Sequence, residues 1–129
     1  MIALDALLAQ LNTAFGLKAS SFTAFIEHLG PPSRWQRLDR PENMGDLDIF
    51  GLVDQSVFLP EQLYVVTEES YGRKVGAFAV HRDDLREFVG AYRERHGVMM
   101  FNGDTLIVGI GSKAIWICHH EGVWTLFDG

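Results

Sequence analysis

The spacing of apolar residues changes along the chain, and this change constrains the fold more than any other feature of the sequence. Over residues 4–15 and again over residues 22–29, apolar side chains recur at the three- and four-residue intervals of an amphipathic helix. The same intervals return over residues 85–96, which lie between Asp84 and Gly97, residues of the kinds that begin and end helices. The sequence therefore predicts an N-terminal helical hairpin and one further helix.

Shorter β-prone runs occupy most of the remaining chain. Residues 63–67 and 75–80 are separated by a polar stretch that contains Gly72, which predicts a hairpin. Four more apolar runs fill the last third of the chain, and short turn signals divide them. These runs cover residues 98–101, 105–110, 114–119 and 123–127. The sequence is therefore assigned to the α+β class, with the three helices packed on one face of a mainly antiparallel β-meander.

A chain of 129 residues is of the commonest size for one domain, so we expect residues 1–129 to form a single domain. The longest apolar run, residues 105–118, is interrupted by glycines and a lysine and is shorter than the roughly 20 residues that a membrane helix requires. The N-terminus lacks the basic segment of a signal peptide. Cys118 is the only cysteine. These features predict a cytoplasmic protein with no disulfide and no membrane segment.

The acidity of the chain is concentrated in residues 39–69, which we call the acidic segment. The formal net charge of the chain is −6, but this segment contains eight carboxylates against one base, Arg40, so it carries −7 and the rest of the chain +1. Nucleic-acid binding depends on clustered Lys and Arg and is therefore disfavoured. The charge predicts a basic protein as the partner, because acidic groups accelerate the encounter with a basic surface.

The acidic segment overlaps residues 31–51, which show neither helical nor strand period and are predicted to form a long loop. Trp35 lies in this loop and is expected to dock on the core, because tryptophan is highly buried on average. A partner would find charged groups for the encounter here and aromatic groups for buried contacts. The alternative is a solvated loop that serves solubility. The predicted partner-binding residues are Trp35, Asp46, Asp48, Phe50 and Asp54.

The sequence contains no P-loop, no GxSxG and no HExxH motif, so the commonest nucleotide-binding, esterase and zinc-protease assignments lose their support. The combination that comes closest to an active site is Cys118, His119, His120 and Glu121 with Asp104. On a strand, His119 and His120 would point to opposite faces, and His119 and Glu121 to the same face. Two ligands do not complete a metal site, so His119 and Glu121 are kept only as an alternative. We expect no metal, no cofactor and no catalytic residue, and we interpret Cys118 as a small buried side chain.

Three stretches within residues 75–127 carry a resemblance to a known class of proteins. They are Asp83-Asp84-Leu85-Arg86-Glu87-Phe88, Phe101-Asn102-Gly103-Asp104 and His119-His120-Glu121-Gly122-Val123-Trp124. This part of the chain resembles the small acidic immunity proteins that bacteria pair with secreted toxins. The resemblance implies a non-catalytic inhibitor that neutralises a cognate toxin domain, often a basic nuclease, by direct binding. These families share no invariant motif through which functional residues could be transferred.

Two other functions stay open at this point. One is a small metal- or Cys-dependent enzyme centred on Cys118, His119, His120 and Asp104. The other is an accessory or assembly subunit of a phage or secretion system, which would use the exposed edge of the meander as its contact. A monomer or a small homo-oligomer is expected.

Overall fold

A computed structural model of the chain describes residues 2–29, 35–72 and 75–128. These residues contain five α-helices and one six-stranded antiparallel sheet, which confirms the predicted α+β class. The helices are α1 (Leu4–Phe15), α2 (Phe22–Leu29), α3 (Asp46–Phe50), α4 (Glu68–Gly72) and α5 (Leu85–His96). The strands are β1 (Gln36–Arg37), β2 (Gln62–Val66), β3 (Phe78–His81), β4 (Thr105–Gly109), β5 (Ala114–His119) and β6 (Val123–Asp128), in the spatial order β1-β6-β5-β4-β2-β3. None of the helices described here has the length and apolar character needed to cross a membrane.

The three predicted helices begin and end where the sequence indicates. Helix α1 ends at Gly16, which has a positive φ of 69° and donates its N–H to the Asn12 carbonyl. The hydroxyl oxygen of Ser21 accepts the N–H of Ala24 at 3.1 Å and caps the start of α2. Helix α5 ends at Gly97, which has a φ of 78°. The helical hairpin and the further helix are therefore present.

The sheet contains the predicted hairpin and most of the predicted meander. Strands β2 and β3 pair antiparallel, although the connection between them includes the short helix α4. Strands β4, β5 and β6 pair in sequence, with Trp116 at the centre opposite Ile107 on one side and Leu126 on the other. Strand β2 then pairs with β4, which joins the hairpin to the meander in one sheet.

One predicted strand is wrong. Residues 98–101 were expected to start the meander, but they lead into a 3₁₀ turn at Met100–Asn102. The carboxylate of Asp46 accepts the backbone N–H groups of Met100 at 2.9 Å and Phe101 at 3.2 Å. Because a side chain from a distant part of the chain satisfies these donors, the segment does not pair with a neighbouring strand.

Helices cover both faces of the sheet, whereas the sequence analysis placed all three predicted helices on one face. The first layer, α1 and α2, packs on Val66, Leu106, Val108, Ile115 and Ile117. The second layer, α3 and α5 with the 3₁₀ turn after α5, packs on Leu63, Val65, Ile107, Trp116 and Cys118. Side chains of β2, β4 and β5 alternate between the two layers, as strand geometry requires. The sheet therefore lies between two separate clusters of buried apolar side chains.

The stretch predicted as a long loop contains short regular elements. Residues 30–34 lie outside the described residues. After them come β1, a 3₁₀ turn at Pro41–Asn43 and helix α3. Strand β1 pairs with the start of β6, through Gln36 opposite Trp124 and Arg37 opposite Val123. This pairing covers part of the meander edge that was considered as an assembly contact.

Candidate functional site

Two carboxylates of the acidic segment, those of Glu42 and Asp48, form no ion pair with any other residue that the structure describes. The ion pairs found between described residues use the carboxylates of Asp83, Asp104 and Glu121, none of which belongs to this segment. Glu42 and Asp48 are exposed. Unpaired carboxylates on a surface give it a negative potential that attracts a basic partner.

Helix α3 forms at the centre of this segment because acidic side chains satisfy free backbone donors around it. Asp48 accepts the N–H of Gly45 at 2.8 Å, which closes the first turn. Asp46 holds the 3₁₀ turn that follows α5. The helix buries Ile49 and Phe50, whereas the side chain of Leu47 is 43% exposed.

The five predicted partner-binding residues have different surroundings. Asp48 and Asp54 are exposed, and Asp46 is half-buried with its carboxylate bound to backbone N–H groups. Phe50 is only 1% exposed and lies in the core, so it does not reach a partner in this structure. Trp35 is half-buried against the α1–α2 layer, as expected for a docked tryptophan, and its ring meets that of His119 edge-on at a centroid distance of 6.3 Å.

Asp54 is an ionised group on the surface. Its Oδ1 accepts the backbone N–H of Ser56 at 3.0 Å and the Ser56 hydroxyl at 2.5 Å. The hydroxyl bond and then the backbone bond hold the pKa of Asp54 below its ordinary value. Asp54 therefore keeps its negative charge at neutral pH and adds to the potential of the segment.

Two open cavities adjoin α3 and the residues that precede it. One has a volume of about 280 Å³ and is lined by Asp46, Leu47, Asp48 and Met99, with Arg93 as a basic residue in its wall. The other has a volume of about 330 Å³, and its lining includes Glu42, Met44, Met99 and His119. We define the α3 surface as Glu42, Met44, Leu47, Asp48 and Met99. It combines exposed Leu47 and the half-buried side chains of Met44 and Met99 with the exposed carboxylates of Glu42 and Asp48.

Sequence reasoning missed the apolar part of this surface. Leu47 and Met99 were not singled out, because α3 is only five residues long and shows no helical period. The sequence did contain a signal for a helix start here, because Gly45 is followed by Asp46-Leu47-Asp48. In that stretch two acidic residues flank a leucine.

A second group of functional side chains lies at one end of the central strands. Strand β5 ends at His119, and the N–H of Gly122 donates to the His119 carbonyl at 3.0 Å, so His120 already belongs to the turn. Gly122 has a φ of 83°, which suits the glycine position of a three-residue hairpin loop. The expectation that His119 and His120 point apart as strand neighbours is therefore wrong. Their ring centroids lie 4.1 Å apart.

Both rings approach the same carboxylate oxygen. Asp104 precedes β4 next to the pair of Thr105 and Cys118, which puts it beside His119. Its Oδ1 lies 2.8 Å from Nδ1 of His120 and 3.7 Å from Nε2 of His119. The same oxygen accepts the backbone N–H of His120 at 2.9 Å. Glu121, the predicted alternative ligand, has its Oε2 3.9 Å from Nδ1 of His119.

The electrostatics of this cluster follow from these contacts. Partial burial alone would raise the pKa of Asp104, but the two hydrogen bonds from His120 and the charges of the two histidines outweigh it and hold that pKa below its ordinary value. The side-chain hydrogen bond to Asp104, followed by the Asp104 charge, raises the pKa of His120. Each group therefore favours the charged form of the other.

We expect His120 to titrate above its ordinary pKa of 6.5 and the Asp104→Asn variant to bring its pKa down. Because the pKa of His120 is raised, its contribution to stability is present at low pH and is lost as the pH rises through that pKa. The contribution of Asp104 has the opposite sign and is lost as the pH falls through its lowered pKa. An NMR titration of the histidine Cε1–H signals measures the shift, with exposed His28 as the reference. Equal pKa values for His120 in both proteins would contradict the assignment.

The surroundings of Cys118 do not suit a nucleophile. Its side chain is 1% exposed, and burial, followed by the Asp104 charge, raises the pKa of the thiol to about 11. A thiol is reactive as its thiolate, which a raised pKa and burial both suppress. This agrees with the interpretation of Cys118 as a small core residue.

Comparisons with known proteins do not assign the chain to a family. No protein-family model, no curated protein and no solved structure matched the chain.

Proposed function

We propose that this chain is a non-catalytic binding protein that recognises a basic protein partner through the α3 surface. The observation that carries the proposal is the exposure of Leu47 between carboxylates that have no cationic partner among the described residues. A leucine exposed at 43% in the wall of an open cavity of about 280 Å³ offers apolar area to a partner side chain.

The division of roles on the α3 surface resembles that of protein interfaces in general. Such interfaces bury a small apolar centre, and the charged rim governs the rate of encounter more than the final affinity. Leu47, Met44 and Met99 supply the centre, and Met side chains adapt to differently shaped partners. Glu42 and Asp48 supply the rim and remain exposed. A basic partner would therefore associate faster because of the charged rim and bind more tightly because of the apolar side chains.

Toxin neutralisation is the form of binding that the resemblance to immunity proteins implies. The partner would then be a basic toxin domain, often a nuclease, and inhibition would come from occupying its surface. The buried thiol of Cys118 supports a mechanism without covalent chemistry. An immunity gene normally lies directly downstream of its toxin gene, so the reading frame immediately upstream supplies the partner to test.

We expect the product of that reading frame to arrest growth and this chain to restore growth when the two are co-expressed.

We also expect the double variant Glu42→Gln with Asp48→Asn to lower the association rate constant for the partner about tenfold, because charges at the rim of an interface act on the encounter. Asn at position 48 can still accept the hydrogen bond from Gly45, so only charge is removed. Leu47→Ala should instead raise the dissociation rate several-fold. Biolayer interferometry at two salt concentrations measures both rates.

The matched control is the double variant Asp5→Asn with Glu27→Gln. It removes the same charge from exposed positions on α1 and α2, on the opposite side of the sheet. Equal loss of association rate in both double variants would show a general charge effect and would reject the α3 surface. A product that does not bind this chain at all would reject toxin neutralisation itself.

A further inference from the structure

Three side chains that play no part in the proposed function lie close together at the end of β5. They are Asp104, His119 and His120. We propose that these three side chains bind one divalent transition-metal ion. Each residue offers one ligand atom, and the three atoms lie within 4.8 Å of one another. His119 and His120 line the same cavity as Glu42, Met44 and Met99 of the α3 surface, but metal binding by the cluster does not require a partner on that surface.

The distances suit a shared ion. Zinc binds His nitrogen and carboxylate oxygen at about 2.0–2.2 Å, so two of its ligand atoms lie about 3–4 Å apart. Oδ1 of Asp104 is 2.8 Å from Nδ1 of His120 and 3.7 Å from Nε2 of His119. The three ligand atoms lie within 4.8 Å of one another, so a shared ion requires the two histidine nitrogens to move closer together, and the ring of His120 is exposed.

The hydrogen bonds show which nitrogens converge. An ionised Asp104 only accepts hydrogen bonds, so His120 presents its Nδ1 proton to it. Nδ1 of His119 accepts the N–H of Glu121 at 3.2 Å, so its Nε2 carries the proton and faces the same oxygen. Metal binding at Nε2 of His119 requires its single proton to move to Nδ1, which gives up the hydrogen bond from the Glu121 N–H and turns to Oε2 of Glu121, 3.9 Å away, as its acceptor. At His120 the proton moves from Nδ1 to Nε2, which leaves Nδ1 free to bind the ion.

The donor set selects the class of ion. Two imidazoles and one carboxylate suit Zn²⁺, Ni²⁺, Cu²⁺ and Co²⁺, whereas Ca²⁺ and Mg²⁺ prefer all-oxygen sites. Glu121 adds negative charge beside the cluster, because its Oε2 lies 3.9 Å from Nδ1 of His119. Three protein ligands leave at least one coordination position open to water.

A purely structural role accounts for only part of the cluster. Oδ1 of Asp104 accepts the N–H of His120 at 2.9 Å and thereby holds the turn after β5. That bond does not require a second imidazole. The rings of His119 and His120 lie 4.1 Å apart at a tilt of 34°, and both have a nitrogen near the same carboxylate oxygen, an arrangement for which the turn alone gives no reason.

The test uses the untagged full chain, stripped with a chelator and titrated with Zn²⁺ at pH 7.5 by calorimetry. We expect one ion per chain, and we expect His119→Gln, His120→Gln and Asp104→Asn each to weaken binding at least tenfold. The control is His28→Gln, which removes an exposed histidine of α2 and should leave the affinity unchanged. Circular dichroism in chelator checks that each variant is folded.

A second measurement does not depend on the variants. In the wild-type NMR spectrum, Zn²⁺ should shift the signals of His119 and His120 and leave those of His28, His81 and His96 in place. The proposal is overturned if Zn²⁺ does not bind, if the other histidines shift instead, or if His28→Gln loses as much affinity as the cluster variants. Because no partner is present, failure here leaves the proposed function standing.

Discussion

Replacing Trp116 with alanine is expected to lower the free energy of unfolding by about 3–5 kcal/mol. Trp116 is fully buried at the centre of β5. Its ring stacks on that of Trp124 at a centroid distance of 6.1 Å and meets Phe101 edge-on at 5.6 Å. Removing it leaves a large cavity between the sheet and the second helical layer. Urea unfolding followed by circular dichroism gives the free energy directly.

The matched control for this prediction is Trp116→Phe. The indole Nε1 of Trp116 is buried without a hydrogen-bond partner among the described residues, so phenylalanine removes an unsatisfied donor and keeps an aromatic ring. We expect it to cost less than half as much as alanine. Similar costs for the two variants would mean that the aromatic contacts contribute little and that β5 is packed differently.

Replacing Asp46 with alanine is expected to cost about 2 kcal/mol, because two backbone donors lose a charged acceptor. Those donors, the N–H groups of Met100 and Phe101, belong to residues whose side chains are buried. Asp48→Ala removes a carboxylate two residues away that accepts a single exposed bond, and should cost under about 1 kcal/mol. Thermal unfolding of both variants at neutral pH measures the difference.

These variants also separate folding from binding. Asp46 was predicted from sequence as a partner-binding residue, but its contacts join α3 to the turn after α5. If Asp46→Ala proved as stable as the wild-type protein while weakening partner binding, its carboxylate would act at the surface and the structural role would be wrong. If stability alone falls, Asp48 and Glu42 remain the charged groups of the α3 surface.

The sequence correctly predicted the helices that are specified by signals from neighbouring residues. The periods of α1, α2 and α5 and the glycines that end α1 and α5 are short-range signals, and the structure follows them. The sequence also contained a signal that helices cover both faces of the sheet. Residues 105–109 and 114–118 carry almost no polar side chains, which is typical of strands buried on both sides. The expectation of one solvent-exposed face came from the usual behaviour of antiparallel sheets.

The misplaced strand at residues 98–101 had no local signal against it. Its apolar residues suit a strand, and the group that prevents pairing, the carboxylate of Asp46, lies more than fifty positions earlier. Long-range hydrogen bonds of this kind cannot be derived from a window of neighbouring residues.

The candidate sites were predictable to different degrees. Charge located the acidic segment, but charge alone does not say that Phe50 points inward and Leu47 outward. The histidine cluster depends on where β5 ends. The sequence analysis treated His119 and His120 as neighbours on a strand, and a boundary one residue away reverses the conclusion about their shared side.

The sheet separates two clusters of buried side chains, which lie on opposite faces of the same strands. The two faces can therefore change independently as the sequence evolves. Side chains of β4 and β5 that support α1 and α2 do not take part in the packing of α3. Substitutions on the α3 surface therefore leave the packing of the first layer untouched. The packing on one side of the sheet can therefore stay constant while the surface on the other side accumulates substitutions.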